Sequence, residues 1–426
     1  MSVPTPRIAS LTDACCGCGA CAAMCPQGCI AMTPDAAGFL HSQVDVQHCV
    51  GCGSCEAVCP VLNEALADGV KRVVWAQNTD AGMLDKSSSG GVFGLLAREI
   101  LQQGGVVCGA AWDQDRGSVR HVIVRDESDL DSVMRSKYVQ SVVPSEVYHE
   151  LRKLLREGFP VLFSGTACQV AGMRAYLGKL ADSDAYLGVD VVCHGVPSPE
   201  LWRRWLNSFS DGEKVMPIEV NFRSKEHGWK RFCVRYDYGD DMSGRRCSIV
   251  RMHRDDWYMR AFLENASVRS SCFACPSKRA CGSDLTLADY WGIDAEHPEA
   301  SERDRGVSAV IANTGKGEAA LADVLAMCKW GESSFAQVAA HNKPLVSPVM
   351  PFEERDSFMD AFASGTSIET LERRWSFRPT LAQRVEMKLK GLCLRVVQLG
   401  RSADQVKLVS NESHNNKGRD DARDIG

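Results

Sequence analysis

The chain has 426 residues, of which 45% are hydrophobic and 24% charged, with a formal net charge of −5. That length allows two or three domains with cores of their own, and the charge offers no basic field to draw nucleic acid. No run of about 18 apolar residues occurs, so no membrane span is expected, and the opening MSVPTPRIASLTDACC lacks the apolar core and cleavage site of a secretion signal.

Residues 1–65 form a cysteine-rich module. Ten of the 20 cysteines lie between Cys15 and Cys59. In a long chain expected in the reducing cytoplasm, such clustering points to metal rather than to disulfides. Cys15–Pro26 and Cys49–Pro60 form an internal repeat, with Gly38–Leu40 and Gln43–Val46 between them as short strands. Alternating strand and helix signals follow. Val73–Ala76 is a strand, Ser89-Gly90-Gly91 opens a helix through Phe93, Leu96 and Ile100, and Val106–Ala110 is the next strand. Pro160–Phe163 is a buried strand leading into a helix through Val170, Met173 and Leu177. Tyr186–Val192 is another. Ser198-Pro199 then starts a helix through Trp202, Trp205 and Phe209. Residues 218–250 read as antiparallel strands.

The expected fold is therefore α+β or mixed α/β. A small ferredoxin-like module precedes an α/β domain whose sheet is largely parallel with an antiparallel part. The expected boundaries are 1–65, 66–160, 161–355, a helical extension over 356–407 and a disordered polar tail over 408–426. Within the extension, Leu381, Val385, Leu389, Leu392, Val396 and Leu399 recur at helical spacing among basic residues, so Thr380–Leu399 is expected to be an amphipathic helix.

Cys15, Cys18, Cys21 and Cys25 follow C-x2-C-x2-C-x3-C and precede Pro26. Cys49, Cys52, Cys55 and Cys59 repeat the pattern before Pro60. Three closely spaced thiolates wrap one [4Fe–4S] cubane, and the fourth cysteine, leaving before the proline, ligates the other. The assignment is Cys15, Cys18, Cys21 and Cys59 for the first cluster, and Cys49, Cys52, Cys55 and Cys25 for the second. Zinc would also accept C-x2-C pairs, but two complete copies with their prolines favour clusters. Cys16 and Cys29 are read as non-ligands.

Further along, Cys272-x2-Cys275 and Cys281 form a third group, while Cys168 and Cys193 each end a strand. On a parallel sheet those ends fall at the carboxyl edge, where α/β proteins place ligands. These five thiols are candidates for a third metal site, with zinc competing. Cys108, Cys233, Cys247, Cys328 and Cys393 are read as buried free thiols. Lys86-Ser-Ser-Ser-Gly-Gly91 before a helix suits a phosphate or an anionic flavin edge, or is a plain helix cap.

Ser88-Ser-Gly-Gly91, Ser136-Lys-Tyr138, Ser164-Gly-Thr-Ala-Cys-Gln169, Val192-Cys-His-Gly195, Cys272-x2-Cys275 and Asp284-Leu-Thr-Leu-Ala-Asp-Tyr-Trp-Gly292 occur in an order that resembles the beta subunit family of coenzyme F-420 hydrogenase and dehydrogenase. On that resemblance, residues 66–160 and 161–355 are the N- and C-terminal regions of such a subunit. It implies FAD, with Ser88, Ser89, Gly90, Gly91 and Lys137 as flavin-site candidates. It also implies a [4Fe–4S] cluster drawing on Cys168, Cys193, Cys272 and Cys275. Cys281 adds a fifth thiol; the set favoured here is Cys193, Cys272, Cys275 and Cys281, with Cys168 the alternative fourth. Asn221-Phe-Arg-Ser-Lys225 and His227-Gly-Trp229 look more like relatives linked to surface-polysaccharide synthesis.

The expected function is an iron–sulfur flavoprotein oxidoreductase. It would exchange electrons with a redox partner protein or ferredoxin and with a small organic acceptor or donor, coenzyme F-420 among the candidates. No catalytic residue is identified. The alternatives are an electron relay without its own substrate site, distinguished by the absence of flavin, and a zinc-bearing structural protein, distinguished by metal analysis.

Overall fold

The computed structural model describes residues 5–63, 67, 69–209, 216–240, 246–300 and 303–378. The expected helix Thr380–Leu399, the polar tail and Cys393 lie outside them.

Near the N-terminus, β1 (Ile30–Pro34) and β2 (Leu40–Val44) form an antiparallel hairpin, Ile30 opposite Val44 and Pro34 opposite Leu40. The two expected short strands thus meet in one, β2, and β1 was not foreseen; its Ala-Met-Thr-Pro run carries little strand signal. Two short helices, Ala20–Met24 and Ser54–Ala57, repeat on either side. Each is entered through a glycine with positive φ, Gly19 at 86° and Gly53 at 72°, a conformation that glycine adopts without the Cβ penalty.

The main sheet is built from β3 (Arg72–Asn78), β4 (Val106–Asp113), β5 (Ser118–Val124), β6 (Val161–Thr166) and β7 (Tyr186–Val191). The chain then makes a separate antiparallel sheet of β8 (Glu219–Ser224), β9 (Cys233–Asp240) and β10 (Arg246–Met252). It returns with β11 (Leu285–Asp289), β12 (Ser308–Ala312) and β13 (Cys328–Glu332). The order across the eight-stranded sheet is β13-β3-β12-β11-β7-β6-β4-β5. The central pairings β11–β7, β7–β6 and β6–β4 are parallel, while β4–β5, β11–β12, β12–β3 and β3–β13 are antiparallel. The fold is mixed α/β: a parallel core with antiparallel flanks.

Both faces of this sheet are covered, as its continuous apolar strands require. Side chains alternate between them. Val74, Ala76, Val107, Leu162 and Val310 pack with Leu95, Leu96 and Leu321 on one side. Val106, Cys108, Val161 and Phe163 meet Tyr148, Leu151, Val170 and Tyr176 on the other. Cys18, Ala20 and Ala23 of the N-terminal module belong to that second cluster, so the module shares a core with the α/β region. The seam is tight: a Cβ added to Gly172, inside the helix Ala167–Leu177, would stand 2.9 Å from Cys18 Sγ. Tyr148 Oη donates to Cys18 O at 2.8 Å and the His149 ring meets Ala23 O at 2.9 Å.

Towards the C-terminus, the helices Arg355–Ala363 and Ile368–Arg374 bury Phe358, Phe362 and Leu371. Trp257 Nε1 donates to Trp375 O at 2.8 Å. Among the described residues no helix is long and apolar enough to cross a membrane. Two cysteines depart from expectation: Cys247 in β10 is exposed and Cys328 in β13 is only half-buried, while Cys108 and Cys233 are buried.

Candidate functional site: three thiol sites and a cavity

In the N-terminal module, Cys15, Cys18, Cys21 and Cys59 line one small cavity with Ile8, Leu11 and Met32. Cys25, Cys49, Cys52 and Cys55 line a second with Ile30 and Val50. The fourth cysteine of each run has crossed to the other group, which is what the short helix after each glycine turn achieves. Cys16 and Cys29 sit in the walls of the first and second cavities; Cys29 Sγ is 3.4 Å from Cys25 Sγ. Burial pushes the Cys21 thiol up to about 12, and the neighbouring Cys15 and Cys59 add to it. Burial also acts on Cys15, but His41, the Gly17 N–H and Arg269 outweigh it and hold that thiol at about 7. Cys15, Cys18, Cys21, Cys55 and Cys59 are buried, whereas Cys52 is exposed.

The two N-terminal sites are local, but the third draws on distant segments. Cys168 and Cys193 each lie two residues beyond a strand, β6 and β7 respectively. Cys272 and Cys275 come from the turn Ser270–Ala274 and its end. All four line one cavity with Thr166, Lys278, Pro344 and Leu345. Lys278 Nζ donates to Cys193 O and, at 2.7 Å, to Pro344 O, bringing a cation to the thiols. Burial drives Cys193 up to about 12 despite Lys278. Cys281 does not line this cavity: it is 3% exposed in the core with Tyr186, Val161 and Leu177. The structure therefore gathers Cys168, Cys193, Cys272 and Cys275, and leaves Cys281 out.

Beside the third thiol site lies a cavity of about 440 Å³, within the range usual for small-molecule sites. The two share Thr166, the run Val191–Val196 and Pro344 as walls. Ser88, Ser89, Gly91 and Lys137 line the larger cavity. Gly91, at φ 82°, caps the helix Val92–Gln102. Ser88 Oγ accepts from Ser136 N at 2.8 Å, tying the serine turn to the Ser136–Tyr138 segment. Gly90 faces the sheet instead: a Cβ there would be 2.2 Å from Ala76 O and 2.5 Å from Ser308 N. Lys137 Nζ donates to Ser132 O at 3.0 Å and to Met134 O. Burial, with Arg135 close by, lowers its pKa to about 7.

Residues that sequence reasoning did not single out complete the wall. Arg223, 4% exposed, donates to Asp289 Oδ1 at 3.1 Å. Its guanidinium lies 4.2 Å from the Phe232 ring centroid and 5.3 Å from that of Trp291. Its Nε is buried without a partner. His121 is held neutral by burial, its pKa lowered to about 4. His121 Nε2 faces Ser164 O at 3.0 Å, and its Nδ1 is a buried nitrogen without a partner. The available signal was Asn221-Phe-Arg-Ser-Lys225, which contains Arg223 but was read only as a family marker. His121 had no local signal.

Cys16 joins the first and third thiol sites. Its thiol is in side-chain contact with both Cys18 and Cys168. From the exposed Cys52 inward, the three thiol sites and the larger cavity thus follow one another without an intervening domain boundary; residues Met1–Ser376 form one compact unit.

Residues 160–333 match the family of the C terminus of the coenzyme F420 hydrogenase/dehydrogenase beta subunit. Residues 14–63 match the family described as "4Fe-4S dicluster domain". No curated protein matches the chain. Among solved structures, a chain from "Xenon derivatization of the F420-reducing [NiFe] hydrogenase complex from Methanosarcina barkeri" is 14% identical. It aligns over 70% of this chain and 95% of that one, with a TM-score of 0.43.

Proposed function

We propose, on the match of residues 14–63 to a 4Fe-4S dicluster domain and of residues 160–333 to the C terminus of the coenzyme F420 hydrogenase/dehydrogenase beta subunit, that this chain is an iron–sulfur, flavin-dependent oxidoreductase. It moves electrons between a redox partner protein and an organic two-electron acceptor or donor. The observation that carries the reading is the shared wall, Thr166 and Val191–Val196, between a four-thiol site and a cavity of about 440 Å³.

The donor sets fit the groups proposed for them. Buried thiols at high pKa ionise together only against a strongly cationic core, which iron–sulfur clusters supply. Cys15, Cys18, Cys21 and Cys59 would hold one cluster, Cys25, Cys49, Cys52 and Cys55 a second, and Cys168, Cys193, Cys272 and Cys275 a third. FAD fits the larger cavity because its wall combines the serine turn at Ser88 and Ser89, the Arg223 cation and the Phe232 and Trp291 rings. Bound there, flavin supplies the exchange between single electrons from clusters and paired electrons of an organic carrier. Ser88, Ser89 and the N–H groups after Gly91 would take its anionic portion. Asp289 and the flanking rings fix Arg223 as a cation. Lys137, near neutrality, can hold or release a proton at Nζ. The carrier is coenzyme F-420 or a two-electron substrate linked to surface-polysaccharide synthesis.

Anaerobic purification followed by iron, sulfide, zinc and flavin quantification tests this. Roughly twelve irons and one FAD per chain are expected. Zinc without sulfide would overturn the cluster reading, and full iron without flavin would reduce the protein to a relay.

A further inference from the structure

Arg269 is 1% exposed, and every strong hydrogen bond of its guanidinium goes to a neutral oxygen. Nε donates to Cys15 O at 2.8 Å, Nη1 to Gln140 Oε1 at 3.0 Å and Nη2 to Leu40 O at 2.8 Å. The Phe39 ring centroid lies 5.3 Å away. The His41 ring lies 3.4 Å from Nη2. Asp35 is engaged with His41 at 3.1 Å rather than with the arginine. A buried guanidinium among neutral oxygens is costly unless an anion compensates it.

Its placement identifies the anions. The side chain grips the loop that carries Cys15, and Gln140 Nε2 extends that grip to Cys16 O at 3.2 Å. The backbone holds the other thiol loop: Arg269 N donates to Val196 O at 3.0 Å, and Cys272 N donates to Arg269 O at 3.0 Å. Its side-chain hydrogen bond to Cys15 O and its backbone bond from Cys272 N place it between the two thiol sites. A cubane with four thiolate ligands is an anion in either common oxidation state, and more strongly so when reduced; nearby charge tunes its potential.

We propose that Arg269 is the shared counter-cation of the first and third thiol sites, a positioning residue that favours the reduced state of both clusters. This deepens the function proposed above and rests on its reading of those thiols as cluster ligands. The outer site, lined by Cys52, has no such partner in Arg269, so the same charge steers electrons inward.

The test is an EPR-monitored redox titration with iron quantification on the full chain, comparing wild type with Arg269→Lys, Arg269→Gln and Gln140→Glu. Arg269→Gln should lower the reduced fraction of the first and third clusters at a fixed potential about tenfold, a shift of about 59 mV for a one-electron centre. The outer cluster should stay near wild type, and Arg269→Lys should restore most of the shift. Gln140→Glu leaves the arginine in place but sets a carboxylate against it, so it should shift the same two potentials downward. It decides the matter where loss of the guanidinium prevents folding. A wild type without iron defeats the cluster reading. A wild type with its iron, and charge-altered variants titrating like it, defeats the role given to Arg269 alone.

Discussion

The thiol sites of the first sixty residues and the site between β6, β7 and the Ser270–Ala274 turn use the same side chain but are assembled differently. In the N-terminal module, eight thiols from two short runs close two cavities around local glycine turns. In the α/β region, four thiols from three segments meet only once the sheet has formed and the 272–275 turn has been laid across its edge. The first arrangement can be encoded by spacing. The second is a product of tertiary structure, and its loading should be tied to folding of the domain.

That contrast can be broken most decisively at Cys275. Cys275→Ser should remove about four irons per chain and stop flavin reduction by the remaining clusters. Cys52→Ala should remove only the outer cluster. Iron counts and EPR of the two variants check this, and equal losses of all clusters in both would show the sites to be one cooperative unit.

Gly90→Val gives the next largest effect. The added side chain meets backbone at Ala76 O and Ser308 N, so it should destabilise the sheet by about 1–3 kcal/mol or more. Denaturant unfolding reads this directly. Loss of flavin without loss of stability would mean that the glycine serves the cavity instead.

The pair Cys168→Ser and Cys281→Ser sharpens the ligand set. Replacing Cys168, which lines the cavity, should lower iron content. Replacing Cys281, which is packed in the core, should leave iron unchanged and cost only a modest amount of stability.

The smallest effect is a pH dependence. Lys137 has its folded pKa lowered to about 7 by burial, so above that pH the unfolded chain binds more protons at this position than the folded one. Its contribution therefore makes stability rise with pH from about 7 towards the ordinary lysine value. In flavin-free protein, thermal unfolding of wild type should gain more on raising the pH from 7 to about 9 than Lys137→Met does.

The N-terminal ligand groups could be read from the sequence because ligation follows chain order there. The α/β layout was readable for the same reason: Val106–Ala110, Pro160–Phe163 and Tyr186–Val192 are apolar runs bounded by turns, and each became a strand of the main sheet. The favoured ligand set took Cys281 over Cys168, and the structure reverses that choice: each lies close to a strand, and only the path of the 276–283 loop separates cavity from core. His121 and Arg269 were invisible as functional candidates, and Arg223 was visible only as part of a family marker. A lone arginine or histidine on a strand or in a turn carries no pattern, and its meaning comes from what is packed around it. Gly90 illustrates the reverse: a glycine within a suggestive motif whose bare backbone is required by a neighbouring strand.

Gly172 sits in the interior of the helix Ala167–Leu177, a position where glycine weakens a helix by roughly 1 kcal/mol relative to alanine. What the chain obtains is the approach of Cys18 to within one missing methyl group of that helix. Electron tunnelling between fixed centres falls off exponentially with separation. On the proposed reading of these thiols as cluster ligands, the absent side chain is a spacer of zero thickness that trades helix stability for speed across the seam.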